Sequence, residues 1–133
     1  MSEQPSQRKK GIYVGAPACF ALEEACKVIN DAFEGQCYLV GSAMERPDWR
    51  DIDVRFMMND EDFLALFPDS APLAHHKWEF DPRWILLTVS ISAWLKKLTG
   101  LPVDFQFQPT SHANERHKGP RNALGLRFAK EDQ

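Results

Sequence analysis

Residues 51–57 read Asp-Ile-Asp-Val-Arg-Phe-Met, with Asp51, Asp53 and Arg55 alternating against Ile52, Val54 and Phe56. A period of two sends successive side chains to opposite faces, so this stretch predicts a strand with one wet face and one apolar face. The same alternation returns after Pro102, where Val103, Phe105 and Phe107 oppose Asp104, Gln106 and Gln108. A shorter apolar run, Cys37 to Val40, ends at Gly41-Ser42 and predicts a buried strand that stops at a turn.

Helical spacing fills the intervals. From Phe20 to Phe33 the apolar positions are Leu22, Ala25, Val28/Ile29 and Ala32/Phe33, with Gly35 where a C-terminal cap belongs. Asp60 to Phe67 predicts a short helix begun by Asn59 or Asp60 and stopped by Pro68. Residues 68–80 predict a loop, with a short strand at Lys77–Phe80. Asp81-Pro82 then opens the clearest helix, striped by Trp84, Leu87, Ile91, Trp94/Leu95 and Leu98 and closed by Gly100. Residues 109–133 are polar, broken by Gly119-Pro120 and Gly125, and carry no firm structure. Residues 1–10 read as a flexible tail before a single domain at 11–133. The order of elements predicts an α/β (α+β) fold, a small mixed sheet of at least three strands with helices packed on one face.

Composition narrows the class. With 44% apolar and 26% charged residues, the chain is an ordinary globular one rather than a low-complexity or collagen-like one. A net charge of -3 argues against a protein that coats nucleic acid. The sequence has no apolar run of about 18 residues and no apolar segment of a signal peptide near Met1, so no membrane association is expected. Cys19, Cys26 and Cys37 form no CxxC pair and predict buried, reduced thiols in a cytoplasmic protein.

The residues with chemical potential are Gly41-Ser42, an eight-residue spacer, then Asp51 and Asp53. Glycine lets backbone approach a ligand, and free amides at a helix start attract phosphate. Asp51 and Asp53, at i and i+2 on a strand, share a face and can share a hard divalent cation. Two anions so close repel unless a cation lies between them. Asp104 sits on the polar face of the later strand; if the strands are neighbours, three carboxylates converge on a patch suited to two metal ions.

This arrangement resembles the nucleotidyltransferase superfamily that includes DNA polymerase beta, and in size its minimal stand-alone members. The resemblance implies a nucleoside triphosphate, such as ATP, held at Gly41 and Ser42. It implies two Mg²⁺ ions, or Mn²⁺, bound by Asp51, Asp53 and Asp104, with Asp104 also helping to deprotonate an acceptor hydroxyl. The expected activity is transfer of a nucleoside monophosphate with release of pyrophosphate. The acceptor is open among an RNA end, a protein hydroxyl and a small molecule. Small members often carry another glycine after Gly-Ser, absent from Ala43 to Pro47, and a C-terminal helical module, which is missing or reduced here. Those departures support an alternative: a catalytically silent nucleotide- or metal-binding module that regulates a partner protein.

Other residues have plainer readings. Arg116, Lys118, Arg121 and Arg127 make a basic segment, in contrast to the acid-rich stretch 45–69; it reads as a solvated surface or as a triphosphate-binding one, with Arg121 the preferred phosphate contact. Arg55 shares the aspartates' face and reads equally as their structural counter-charge. His75-His76 reads as surface loop, His112 and His117 lack a zinc-binding spacing, and Trp49 reads as packing or as a base-stacking ring.

Overall fold

The computed structural model describes residues 12–126. The expected tail at 1–10 and Arg127 of the basic segment lie outside the described residues.

Four strands form one sheet: β1 (Gln36–Val40), β2 (Ile52–Met58), β3 (Val103–Pro109) and β4 (Asn122–Leu124), in the order β3-β2-β1-β4. β1 runs antiparallel to β2 and β4, whereas β2 and β3 are parallel. A parallel pair requires a long crossover, and α2 (Asp60–Leu66) and α3 (Pro82–Thr99) lie between these strands in sequence. The mixed α+β architecture agrees with the pattern of alternation and helical spacing.

Register sorts the two faces. Cys37, Phe56, Phe107 and Leu124 form one row of the dry face; Leu39, Val54 and Phe105 form another. All seven are fully buried. Phe33, Phe56, Phe105 and Phe107 meet edge to face with centroids 5.1–6.0 Å apart, a geometry that suits the ring quadrupoles. Helix α1 (Ala18–Ala32) adds Cys19, Leu22, Ala25, Cys26 and Ile29 to this core at helical spacing.

Each helix end has a local cause. Asn59 caps α2 by accepting from the Asp62 amide, and three acids in its first turn favour the positive end of the dipole. Asp81 caps α3 through the amides of Arg83 and Trp84, and Gly100 ends it at φ +74°. Gly35 plays a different part from the expected cap. The residue after α1 is extended, and a methyl on Gly35 would come 2.5 Å from the Met57 carbonyl oxygen, so its smallness admits close passage over β2.

Three further details depart from the sequence pattern. Lys77–Phe80 is no strand: Trp78–Phe80 form a 3₁₀ turn that buries Trp78 against Phe63. The buried line of α3 is Trp84, Thr88 and Leu95, while Trp94 and Leu98 remain 37% and 49% exposed. The cause is the outer edge of β3, which α3 covers. Trp84 Nε1 donates to the Phe107 carbonyl (3.0 Å), and Ser92 Oγ accepts from the Phe105 amide (3.0 Å). The helix thereby satisfies an edge strand that would otherwise invite pairing. Finally, the polar stretch after β3 forms α4 (Thr110–Arg116) and then β4. Ala113 of α4 packs with Val40 and Met57 on the opposite face of the sheet. No helix among the described residues is long and apolar enough to cross a membrane.

Candidate functional site

On the face opposite α1, pairing aligns Val40, Asp53 and Asp104 in one row across β1, β2 and β3. Tyr38, Arg55 and Gln106 form the next row. Asp53 and Asp104 are therefore direct neighbours on parallel strands, and Gly41 follows at the end of the same row.

Gly41–Met44 form a single 3₁₀ turn. Gly41 has φ +80°, and a methyl placed on it would overlap the Asp53 Oδ2 atom. Glycine is thus required twice, for its backbone conformation and for the carboxylate pressed against it. The turn is held from behind: the Tyr13 amide donates to the Ala43 carbonyl (2.8 Å) and Trp49 Nε1 donates to the Tyr13 carbonyl (2.6 Å). Trp49 therefore anchors the spacer rather than standing free.

Arg55 lies between the two carboxylates. Its Nη2 is 3.1 Å from Asp104 Oδ2 and 3.8 Å from Asp53 Oδ1, and its Nη1 donates to the backbone carbonyls of Asp104 (2.7 Å) and Val54 (3.1 Å). The guanidinium is only 10% exposed, and its buried Nε has no hydrogen-bond partner. Burial pushes the Asp53 carboxyl above its ordinary pKa; Arg55 draws it back, and Asp104 and Asp51 push it further up. Three carboxylates against one guanidinium leave two negative charges uncompensated.

Those hard oxygen donors and that excess charge fit a divalent cation such as Mg²⁺. The carboxylates are not gathered into a closed ligand set, however. Among the described residues, no group of three or more His, Cys, Asp or Glu has a metal-holding arrangement. Asp51 precedes β2 and joins Asp104 on the wall of a neighbouring cleft.

That cleft, about 530 Å³, opens between α3 and the leading end of β3. Lys96 and Thr88 line it together with the two acids. Neither was legible as a site residue, because a lysine in the last turn of a helix and a threonine in its middle carry no functional signal.

Arg121 lies elsewhere on the same face. It donates to Asn114 Oδ1 (3.0 Å), contacts Met57 Sδ (2.8 Å) and covers the Tyr38 ring at 5.4 Å. Met57 is four residues along β2 from Asp53, about 13 Å of strand, while Tyr38 stands in the row next to the acidic one. His117 pairs with Gln108 (3.1 Å) beneath the same loop. Its pKa is lowered to about 4, chiefly by burial and then by Arg55, Arg116, His112 and Arg121. His76 meets His112 edge to face and lies tilted against Trp78, with ring centroids 5.0 and 5.2 Å away. The Cys37 thiol is pushed up by burial and by Cys26, which suits core packing rather than nucleophilic chemistry.

Comparison of the chain with known protein families, with curated proteins and with solved structures finds no match in any of the three.

Proposed function

We propose that the chain is a small metal-dependent nucleotidyltransferase that moves a nucleoside monophosphate from a nucleoside triphosphate to an acceptor hydroxyl. The observation that carries this reading is the row itself: Asp104 and Asp53 in register, ending at a glycine whose missing side chain leaves room for the Asp53 carboxylate. Asp51, Asp53 and Asp104 would hold the divalent cation, which when bound supplies charge neutralisation at the reacting phosphate. Gly41 and Ser42 give the triphosphate a close backbone approach. Asp104, whose side chain is 50% exposed, accepts the acceptor's proton. The acceptor oxygen forms a bond to the α-phosphorus, the bond from that phosphorus to the bridging oxygen breaks, and pyrophosphate leaves with the electron pair. Positioning and electrostatics do the work, with no covalent enzyme intermediate.

Parallel incubations with α-labelled and γ-labelled nucleoside triphosphates in cell extract test this. The reading expects α-label on an acceptor and γ-label in pyrophosphate, both lost in Asp53→Asn. Label retained at wild-type level in that variant refutes it. A second reading, a silent nucleotide-binding module, is favoured by the buried Arg55 guanidinium, which already neutralises part of the acidic row. Magnesium-dependent nucleotide binding without pyrophosphate release across acceptors selects that alternative.

A further inference from the structure

We infer that the cleft between α3 and β3 is the acceptor pocket, and that it takes a small alcohol bearing an anionic group, a carboxylate or a phosphate. The inference rests on the nucleotidyltransferase reading and adds the substrate class to it.

Strand order supplies the geometry. Across the sheet the sequence of features is Gly41 after β1, Asp53 on β2, Asp104 on β3, and then the cleft beyond the β3 edge. Phosphoryl transfer needs attacking and leaving oxygens roughly in line on opposite sides of phosphorus. A triphosphate at the Gly41 turn directs its leaving group to one end of the row. The nucleophile must then arrive from the other end, past Asp104, where the cleft opens.

The cleft also has the dimensions and lining of a ligand site. Its volume of about 530 Å³ falls within the range of small-molecule pockets. Val89 and Ala93 supply an apolar wall. Thr88, 7% exposed, lines the cleft and has a buried hydroxyl without a hydrogen-bond partner. Such an orphan is uncommon in a settled core. Lys96, exposed at the rim, is the cation of this lining and makes no ion pair among the described residues. With Asp51 and Asp104 engaged by metal, Lys96 sets the charge preference, and an ammonium selects a carboxylate or phosphate. A polynucleotide end is disfavoured, because nucleic-acid binding draws on several cations and this cleft offers one.

The test combines isothermal titration and methyl NMR on the full chain with Mg²⁺ and a non-hydrolysable nucleoside triphosphate. Hydroxy acids, sugar phosphates and uncharged alcohols of matched size are then titrated in separate arms, as is a short RNA with a free 3′ hydroxyl. An anionic alcohol should shift the methyls of Thr88, Val89 and Ala93. Lys96→Glu should weaken its binding at least tenfold, and Ala93→Trp, at an exposed helical position, should block it. Both variants should melt near wild type and keep nucleotide affinity within twofold. The arm that saturates first separates carboxylate from phosphate. Nucleotide binding with no anionic alcohol in the cleft overturns this inference alone, as does equal binding of uncharged alcohols or preferred binding of the RNA. Failure of wild type to bind nucleotide overturns the nucleotidyltransferase reading and the acceptor role together, even if the cleft fills.

Discussion

Replacing Gly41 by alanine isolates the contact on which the site is built. The backbone there is left-handed, φ +80°, which costs an alanine about 1–2 kcal/mol. The new methyl also overlaps Asp53 Oδ2, the movable end of a side chain, and turning that carboxylate off its rotamer adds about 0.5–1.5 kcal/mol. Gly100 is the internal control. It has nearly the same backbone, φ +74°, but a methyl on it meets nothing within 4 Å. Gly100→Ala should therefore lose about 1–2 kcal/mol, and Gly41→Ala about 1.5–3.5 kcal/mol. Urea unfolding of the two variants measures the difference, and adding Asp53→Ala to Gly41→Ala should recover the overlap component as a coupling energy. Equal losses at both glycines, with no coupling to Asp53, would refute the claim that the turn and the carboxylate are packed against each other.

Two further outcomes follow from the charges around Arg55. Arg55→Leu leaves Asp53 and Asp104 facing each other without their shared cation and removes two hydrogen bonds to backbone carbonyls, so stability at pH 7 should fall by about 2–4 kcal/mol in denaturant titration. The loss should shrink when Mg²⁺ is added; a magnesium-independent loss would count against a cation site there. His117 is favoured neutral in the fold, with a pKa of about 4 against 6.5 for the free imidazole. Its contribution should thus be complete above pH 6.5 and be lost as pH falls toward 4, amounting to about 1 kcal/mol after solvent screening of a partly open ring. NMR titration of the imidazole checks this, and Arg55→Leu should raise the measured value.

Much of the fold was legible because alternation is a local property. The patterns at 52–58 and 103–108 identify which residues share a face, and the register then makes Asp53 and Asp104 neighbours. Their adjacency needed the strand order, which no local pattern encodes. The later elements were silent for a related reason. Only Ala113 of α4 is buried, so no apolar period marks that helix. The three-residue β4 is held from afar, with Asn30 and Gln36 side chains donating to the Leu124 carbonyl at 2.9 and 2.7 Å. The α3 stripe was misread at Trp94 and Leu98 because the helix turns Trp84 and Ser92 toward the edge of β3. Arg55 was recognised as a counter-charge, but its grip on two backbone carbonyls is a tertiary fact. Arg121 was legible by its charge alone, and its contacts with Tyr38, Met57 and Asn114 come from the tertiary fold.

The most direct test of the acidic row is thermal unfolding with Mg²⁺ and a non-hydrolysable nucleoside triphosphate, added singly and together. The account predicts joint stabilisation of about 2.7 kcal/mol at a hundredfold excess over Kd, abolished in Asp53→Asn and Asp104→Asn proteins that remain folded. Stabilisation that persists in both variants, or its absence from wild type with every nucleotide, would contradict it.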